Sequence, residues 1–311
     1  MDFQPRDLRF LRDLFESRVM TSAHVAALHF DGSRDAAKKR LQKLKAAGYV
    51  SERARRSTEP AVLFLSAKAF LHLRTEGVLA QYPTLSIRSL EKRAHVSDIT
   101  LRHELEVMDV KASFHLAARK TPKITVAEFS TWPALHQFEV SHDGFKETLV
   151  KPDGFIRIHE KESDGTSEHT FFLEVDRSSE TQDTLVSRAA CYLQYYRSGR
   201  FAMKNGATVA EFKEYPFRVL IVCKSQERRN NTALRLIQSN PPIFTQAYLT
   251  TLAEATTDPF GCVWLTPAAY RDAVKGTPFL AERAPAVQPY RSQPEREAVV
   301  EKNAVKCPLL S

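Results

Sequence analysis

Cysteine is scarce and scattered. The 311 residues hold four, Cys191, Cys223, Cys262 and Cys307, with no Cys-x-x-Cys pair. That excludes a disulfide framework and a cysteine-built zinc site, and it fits a reducing compartment. No apolar run approaches the ~18 residues that cross a membrane. The opening Met1-Asp2-Phe3-Gln4-Pro5 is not the basic-then-apolar pattern of a secretory leader. These absences set the expectation of a cytoplasmic protein with no membrane partner. Glycine is limited to ten residues and the hydrophobic fraction is 43%, the composition of a globular chain long enough for two domains. Lys and Arg exceed Asp and Glu, 45 to 37, for a net charge of +8. A basic excess favours a polyanionic partner.

That excess is uneven. Residues 1–70 carry fourteen Lys and Arg against eight Asp and Glu, a net +6 of the chain's +8. Leu8, Leu11, Leu14 and Phe15 recur at helical spacing over 6–18. Thr21 or Ser22 caps a second helix, and the turn Asp31-Gly32-Ser33 caps a third over 34–47, which ends at Gly48. Ala37, Leu41 and Leu44 form the buried stripe of that third helix. Tyr49–Arg53 and Ala61–Leu65 read as two strands around a basic tip. Three helices followed by a basic hairpin is the order of a winged helix-turn-helix, and Leu41-x-x-Leu44-x-x-x-Gly48-Tyr49-Val50 is similar to the end of a bacterial recognition helix. On that basis Arg34, Lys38, Lys39 and Lys43 face a major groove of double-stranded DNA, and Arg53, Arg55 and Arg56 contact phosphates. The bland alternative is a solvated basic face, or a module that docks a protein.

Further on, Lys151-Pro152-Asp153-Gly154 precedes the apolar run Phe155–Ile158, and Thr170–Leu173 precedes Glu174-Val175-Asp176-Arg177. Two antiparallel strands joined by a polar loop bring Asp153 and Glu174 together. A divalent cation relieves the repulsion between such carboxylates. Mg²⁺ or Mn²⁺ suits oxygen ligands and activates water against a phosphodiester, with Asp153, Glu174 and the Val175 carbonyl as metal ligands. Against this, Pro-Asp-Gly is also a common turn sequence, and Glu174 has a structural alternative in a salt bridge to Arg177 or Arg157. A long helix from about 97 to 119 carries His103 and Glu104, which read equally as site or surface residues. A helix over 181–196 carries Arg188, with Tyr192, Tyr195 and Tyr196 read as packing residues. Strands at 124–129, 217–223 and 262–265 and a helix over 228–238 complete the pattern α-β-β-β-α-β-α-β, a mixed sheet with helices on its faces.

The acid layout resembles the core of the PD-(D/E)XK nuclease-like superfamily, with one departure: the lysine position after the second acid holds Asp176. His103-Glu104-Leu105, Pro152-Asp153-Gly154 and Glu174-Val175-Asp176-Arg177, behind an N-terminal winged helix, resemble the replication-relaxation family of plasmids and other mobile elements. The resemblance covers roughly residues 5 to 240 and implies an α/β fold: winged helix over 1–78, linker over 79–96, restriction-endonuclease-like domain over 97–277. Residues 278–311 read as a largely disordered tail. It implies a catalytic set of Asp153, Glu174 and Asp176, with His103 and Glu104, and with Arg188 replacing the lysine. Arginine offsets charge but does not shuttle protons near neutral pH, which limits the expected endonuclease to slow, metal-dependent cleavage. A catalytically inactive DNA-binding accessory factor or transcriptional regulator is the alternative, and an adaptor is the third. Expected partners are duplex DNA, plasmid replication or transfer proteins, and a second copy of the chain.

Overall fold

The computed structural model describes residues 2–53, 59–94, 96–131, 133, 136–142, 146–176, 181–280 and 293–310. The chain divides into two units, 1–120 with 131–134, and 121–130 with 135–311. A helical N-terminal region is followed by a domain built on a mixed β-sheet.

In the first unit, α1 (Pro5–Glu16), β1 (Met20–Thr21), α2 (Ser22–His29) and α3 (Arg34–Ala46) lead into a hairpin of β2 (Val50–Glu52) and β3 (Val62–Leu65). α4 (Ala67–Thr75), α5 (Ile87–Ala94) and α6 (Asp98–Lys120) follow. Thr21 and Ser33 cap α2 and α3 through their hydroxyls. Two left-handed residues, Asp31 (φ 51°) and Gly32 (φ 82°), turn the chain between those helices. α3 ends in paired 6→1 and 5→2 bonds, Tyr49 N to Leu44 O and Gly48 N to Lys45 O, both 2.9 Å, with Gly48 at φ 77°. The short β1, not anticipated from sequence, pairs antiparallel with β3 in the order β1-β3-β2. Phe10, Leu14, Val25, Leu41, Leu63 and Phe70 fill the core.

Three boundaries differ from the expected ones. Helix α6 groups with the first unit, because its middle turns bury Val107, Met108, Val110 and Phe114 and its Asp109 receives His24 of α2 at 2.7 Å. The stretch taken as a linker contains α5 and buries Leu79 and Leu90. The tail read as disordered carries a helix over 294–303, with Val300 and Leu309 fully buried.

The second unit begins with β4 (Ile124–Ser130), a two-stranded sheet of β5 (Phe138–His142) and β6 (Lys146–Val150), β7 (Gly154–Lys161) and β8 (Thr166–Asp176). Helices α7 (Gln182–Arg197) and α8 (Arg200–Lys204) precede β9 (Arg218–Cys223), α9 (Gln226–Gln238), β10 (Ala247–Thr251), α10 (Leu252–Thr257), α11 (Pro267–Ala273) and α12 (Pro294–Asn303). Its main sheet runs β10-β9-β8-β7-β4. β8, β9 and β10 are parallel, while β7 and β4 are antiparallel to their neighbours. The strand expected at 262–265 contributes only isolated bridges, Leu249 to Leu265 and Trp264 to Cys307, and β10 takes the edge place. Phe138, Phe155, Phe172, Tyr192, Tyr195 and Phe217 pack together in the core. Among the described residues no helix is long and apolar enough to cross a membrane.

Candidate functional site

The β7–β8 hairpin pairs Gly154 with Leu173 and Phe155 with Phe172. One residue before β7, Asp153 continues the ladder: its N–H donates to Leu173 O at 3.0 Å, and its Oδ2 accepts the Val175 N–H at 2.8 Å. Gly154 permits the approach, since a β-carbon there would lie 3.3 Å from the Phe129 ring. Asp153 is therefore bound to the backbone on both sides of Glu174, which fixes the two acids as neighbours.

Strand alternation places Phe172, Glu174 and Asp176 on one face of β8. On that face, positions 188 and 192 of α7, one helical turn apart, both reach Glu174. Arg188 Nη1 donates to Oε2 at 2.7 Å and the Tyr192 hydroxyl to Oε1 at 2.6 Å. Glu174 is 2% exposed. Burial and the adjacent Asp153 charge push its carboxyl up to about 8 against the pull of Arg188 and Tyr192. Tyr192 is raised as well, by burial and by the Glu174 charge. The structural alternative for Glu174 thus holds in kind with a different partner. Arg157 instead meets Glu168 at 3.6 Å and Asn205 at 3.2 Å, and Arg177 lies outside the described residues.

Asp176 belongs to a second, separate pair. Arg228 of α9 grips it with both Nε and Nη2, the latter at 3.1 Å from Oδ1, and both side chains are buried. Neither Tyr192 as a Glu174 donor nor Arg228 as an Asp176 partner was anticipated. The i,i+4 spacing of Arg188 and Tyr192 carried the first signal. Arg228-Arg229-Asn230-Asn231 resembles a solvated run and hid the second, yet all four are buried.

The carboxylate oxygens expected to hold Mg²⁺ or Mn²⁺ carry protein partners in this arrangement. Both Glu174 oxygens accept from protein donors and one Asp153 oxygen is held by Val175 N–H. Among the described residues no three His, Cys, Asp or Glu side chains come together as a metal cluster. The other expected site residues, His103 and Glu104, sit on α6 of the first unit, where Arg18 Nη1 donates to Glu104 at 2.9 Å.

The first unit offers a different chemistry. Ala37, Leu41 and Leu44 are buried, and Arg34, Lys38, Lys39 and Lys43 are exposed on the rest of α3. Their neighbours are already neutralised: Arg40 binds the buried Asp7, and Lys45 pairs with Glu52. Arg53, expected to contact phosphate, donates from Nη1 to Val96 O at 2.9 Å and from Nη2 to the exposed Asp98 at 2.8 Å. Arg55 and Arg56 lie outside the described residues.

A helical unit with a cationic helix face, followed by a mixed-sheet α/β unit with two buried acid–arginine pairs, defines the class. The chain belongs to the replication-relaxation family, which matches residues 11–210 and so takes in α3, Asp153, Glu174, Asp176 and Arg188. Membership supports a general replication-associated role on plasmids and mobile elements. Compared with curated proteins, the chain matches none. Among solved structures it is similar to the restriction endonuclease FokI, at 14% identity and a TM-score of 0.28, over 81% of this chain and 42% of that one. The chain therefore spans less than half the length of that protein, and a likeness this low assigns no activity.

Proposed function

We propose that this protein binds duplex DNA through its N-terminal unit as a plasmid or mobile-element replication factor, and that its C-terminal unit is a nuclease-like fold retained as a scaffold. The observation that carries the DNA-binding half is the division of α3 into a buried Ala37-Leu41-Leu44 stripe and an exposed Arg34-Lys38-Lys39-Lys43 face. The order of helices, with β1-β3-β2 behind them, supports reading the unit as a winged helix with α3 in the major groove. The five-stranded mixed sheet with Asp153 and Glu174 at adjoining strands supports the nuclease-like reading of the second unit. The donors that fill Glu174 favour an accessory factor over a hydrolase.

Full-length protein should shift a labelled duplex, with log affinity falling linearly in log salt. Lys38→Glu/Lys39→Glu/Lys43→Glu should abolish the shift while the protein stays folded. An unchanged shift in that variant overturns the assignment. The closeness of the two carboxylates favours a second reading, a metal-dependent endonuclease in which a divalent ion displaces Arg188. Mn²⁺ calorimetry and nicking of supercoiled plasmid, with Asp153→Ala as control, separate the two. Uptake and nicking that both depend on Asp153 would replace the scaffold reading.

A further inference from the structure

The end of α6, the polar face of α1 and the C-terminus of α2 line an open polar cleft of about 650 Å³ within the first unit. Arg6, Arg9 and Arg12 enter it from α1 at successive i,i+3 positions, and Arg119 closes it from α6. The acids of the cleft are already engaged. Glu16 accepts from Arg12 at 3.0 Å and from the Tyr82 hydroxyl at 2.8 Å. Asp13 faces His29 at 3.2 Å, and Asp31 faces Arg119 at 3.6 Å.

The cations divide into two kinds. Arg119 is structural: it donates to the carbonyls of Ala27 and Leu28, the last-turn oxygens of α2 that have no helical partner. Arg12 serves Glu16. Arg6 lies over the Phe30 ring at 4.8 Å, and no carboxylate among the described residues pairs with Arg6 or with the exposed Arg9. The four arginines of the cleft thus exceed its three acids by one, and Arg6 and Arg9 are the two without a carboxylate partner among the described residues. Guanidinium forks match phosphate geometry in a way that point charges do not. The location narrows the ligand further. Asp31, on the cleft's rim, begins the turn Asp31-Gly32-Ser33 that delivers Arg34 to the start of α3, and Arg40 of α3 ties back to Asp7 of α1. The rim of the cleft at Asp31 thus lies three residues before Arg34, the first cation of α3.

We infer that this cleft is a second phosphate-backbone contact, in which Arg6 and Arg9 take phosphodiesters of the duplex that α3 engages. It rests on the DNA-binding reading above and extends the footprint to a helix with no part in reading bases. The contact fixes register and adds to affinity, and it is indifferent to sequence.

The test is fluorescence anisotropy of a labelled duplex with the full chain across a salt series, comparing wild type, Arg6→Gln/Arg9→Gln, Arg9→Glu and the triple α3 variant. Loss of two phosphate contacts should make the salt slope shallower by about 1.8, at roughly 0.9 per contact, and weaken binding at least tenfold at low salt. Arg9→Glu, at an exposed position, should weaken binding with an unchanged thermal midpoint. If both α1 variants keep wild-type affinity and slope while the α3 variant loses binding, the inference falls and the cleft is left to an acidic protein segment. If wild type itself does not bind duplex, the DNA-binding reading falls first and takes this one with it.

Discussion

Arg188 Nη1 lies 2.7 Å from Glu174 Oε2, so the buried acid of β8 is hydrogen-bonded from α7 by a cation the chain supplies itself. Glu174 is almost wholly buried, whereas the Arg188 side chain is 26% exposed. Removing the arginine strands a carboxylate that burial already pushes to about 8. The stranded group escapes by taking a proton, which limits the cost. Arg188→Ala is expected to lose about 1–3 kcal/mol, less than a buried charge with no such exit. In urea titrations Arg188→Lys should recover most of this. Adding Glu174→Gln to Arg188→Ala should recover part of it, leaving a coupling energy in the double-mutant cycle. Additive single variants would mean that the pair does not interact.

The same burial sets a pH dependence with a definite sign. Because the folded state raises the Glu174 carboxyl, the native protein holds that proton after the unfolded chain has released it. Between the ordinary carboxylate range and about 8, this group therefore costs stability as pH rises. Glu174→Gln keeps an oxygen for a donor and removes the titration. Its stability relative to wild type should climb by on the order of 1–3 kcal/mol from mildly acidic to mildly alkaline pH. Chemical denaturation across that range checks it, and a flat difference sinks it.

Much of this was legible in the chain. The three caps and turns around α2 and α3, the Gly48 stop and the β7–β8 hairpin all follow from local chemistry: a hydroxyl before a helix, a left-handed glycine, alternation about a polar loop. Local rules also brought Asp153 beside Glu174. What they could not reach was partner choice over distance. Asp176 and Arg228 are 52 positions apart, and neither residue type announces burial. The hairpin 138–150 and β10 were missed because each is five residues per strand, short enough that tertiary pairing and not propensity decides them. Over 293–310 the tail was misread because its charge is high, although Glu301 and Lys306 are engaged in ion pairs; its residues 281–292 lie outside the described residues.

Asp176 and Arg228 should behave differently from Glu174 and Arg188. Both partners are buried, the contact is two-pronged, and arginine has no neutral form near physiological pH. Asp176→Ala then removes the two-pronged partner of a buried guanidinium on α9 and should cost about 3–5 kcal/mol. Asp176→Leu/Arg228→Met replaces the pair by apolar side chains of similar size and should recover most of that loss. A double variant as unstable as Asp176→Ala would show that the site needs the pair's hydrogen bonds as well as its neutrality.

The C-terminal helix is held by charges of the opposite pH sense. Arg229 of α9 is fully buried and reaches Glu301 of α12 and, at 3.4 Å, Glu254 of α10. Lys306 bridges the same two acids, at 2.6 Å to Glu254 and 2.9 Å to Glu301. Burial works against both carboxylates, but Lys306 and Arg229 outweigh it and hold them below the usual carboxylate range. Their contribution is thus present above the unfolded carboxylate range and lost as pH falls through the depressed folded values. Since Val300 and Leu309 are buried on the same segment, the ion pairs and the apolar contacts should release together. Mild acid, near pH ~4, should increase hydrogen exchange in 294–310 before the strands β7, β8 and β9 exchange. Glu301→Gln should move that release to higher pH and cost about 1–2 kcal/mol at neutrality, since of its two carboxylate partners Arg229 keeps the longer, Glu254, beside its bonds to Asn230. Lys306→Met should act in the same direction and by less, because its ammonium is nearer the surface and Arg229 still links both acids. If acid loosens the central strands first, or if Glu301→Gln leaves exchange in 294–310 unchanged, the segment is held by its apolar contacts alone.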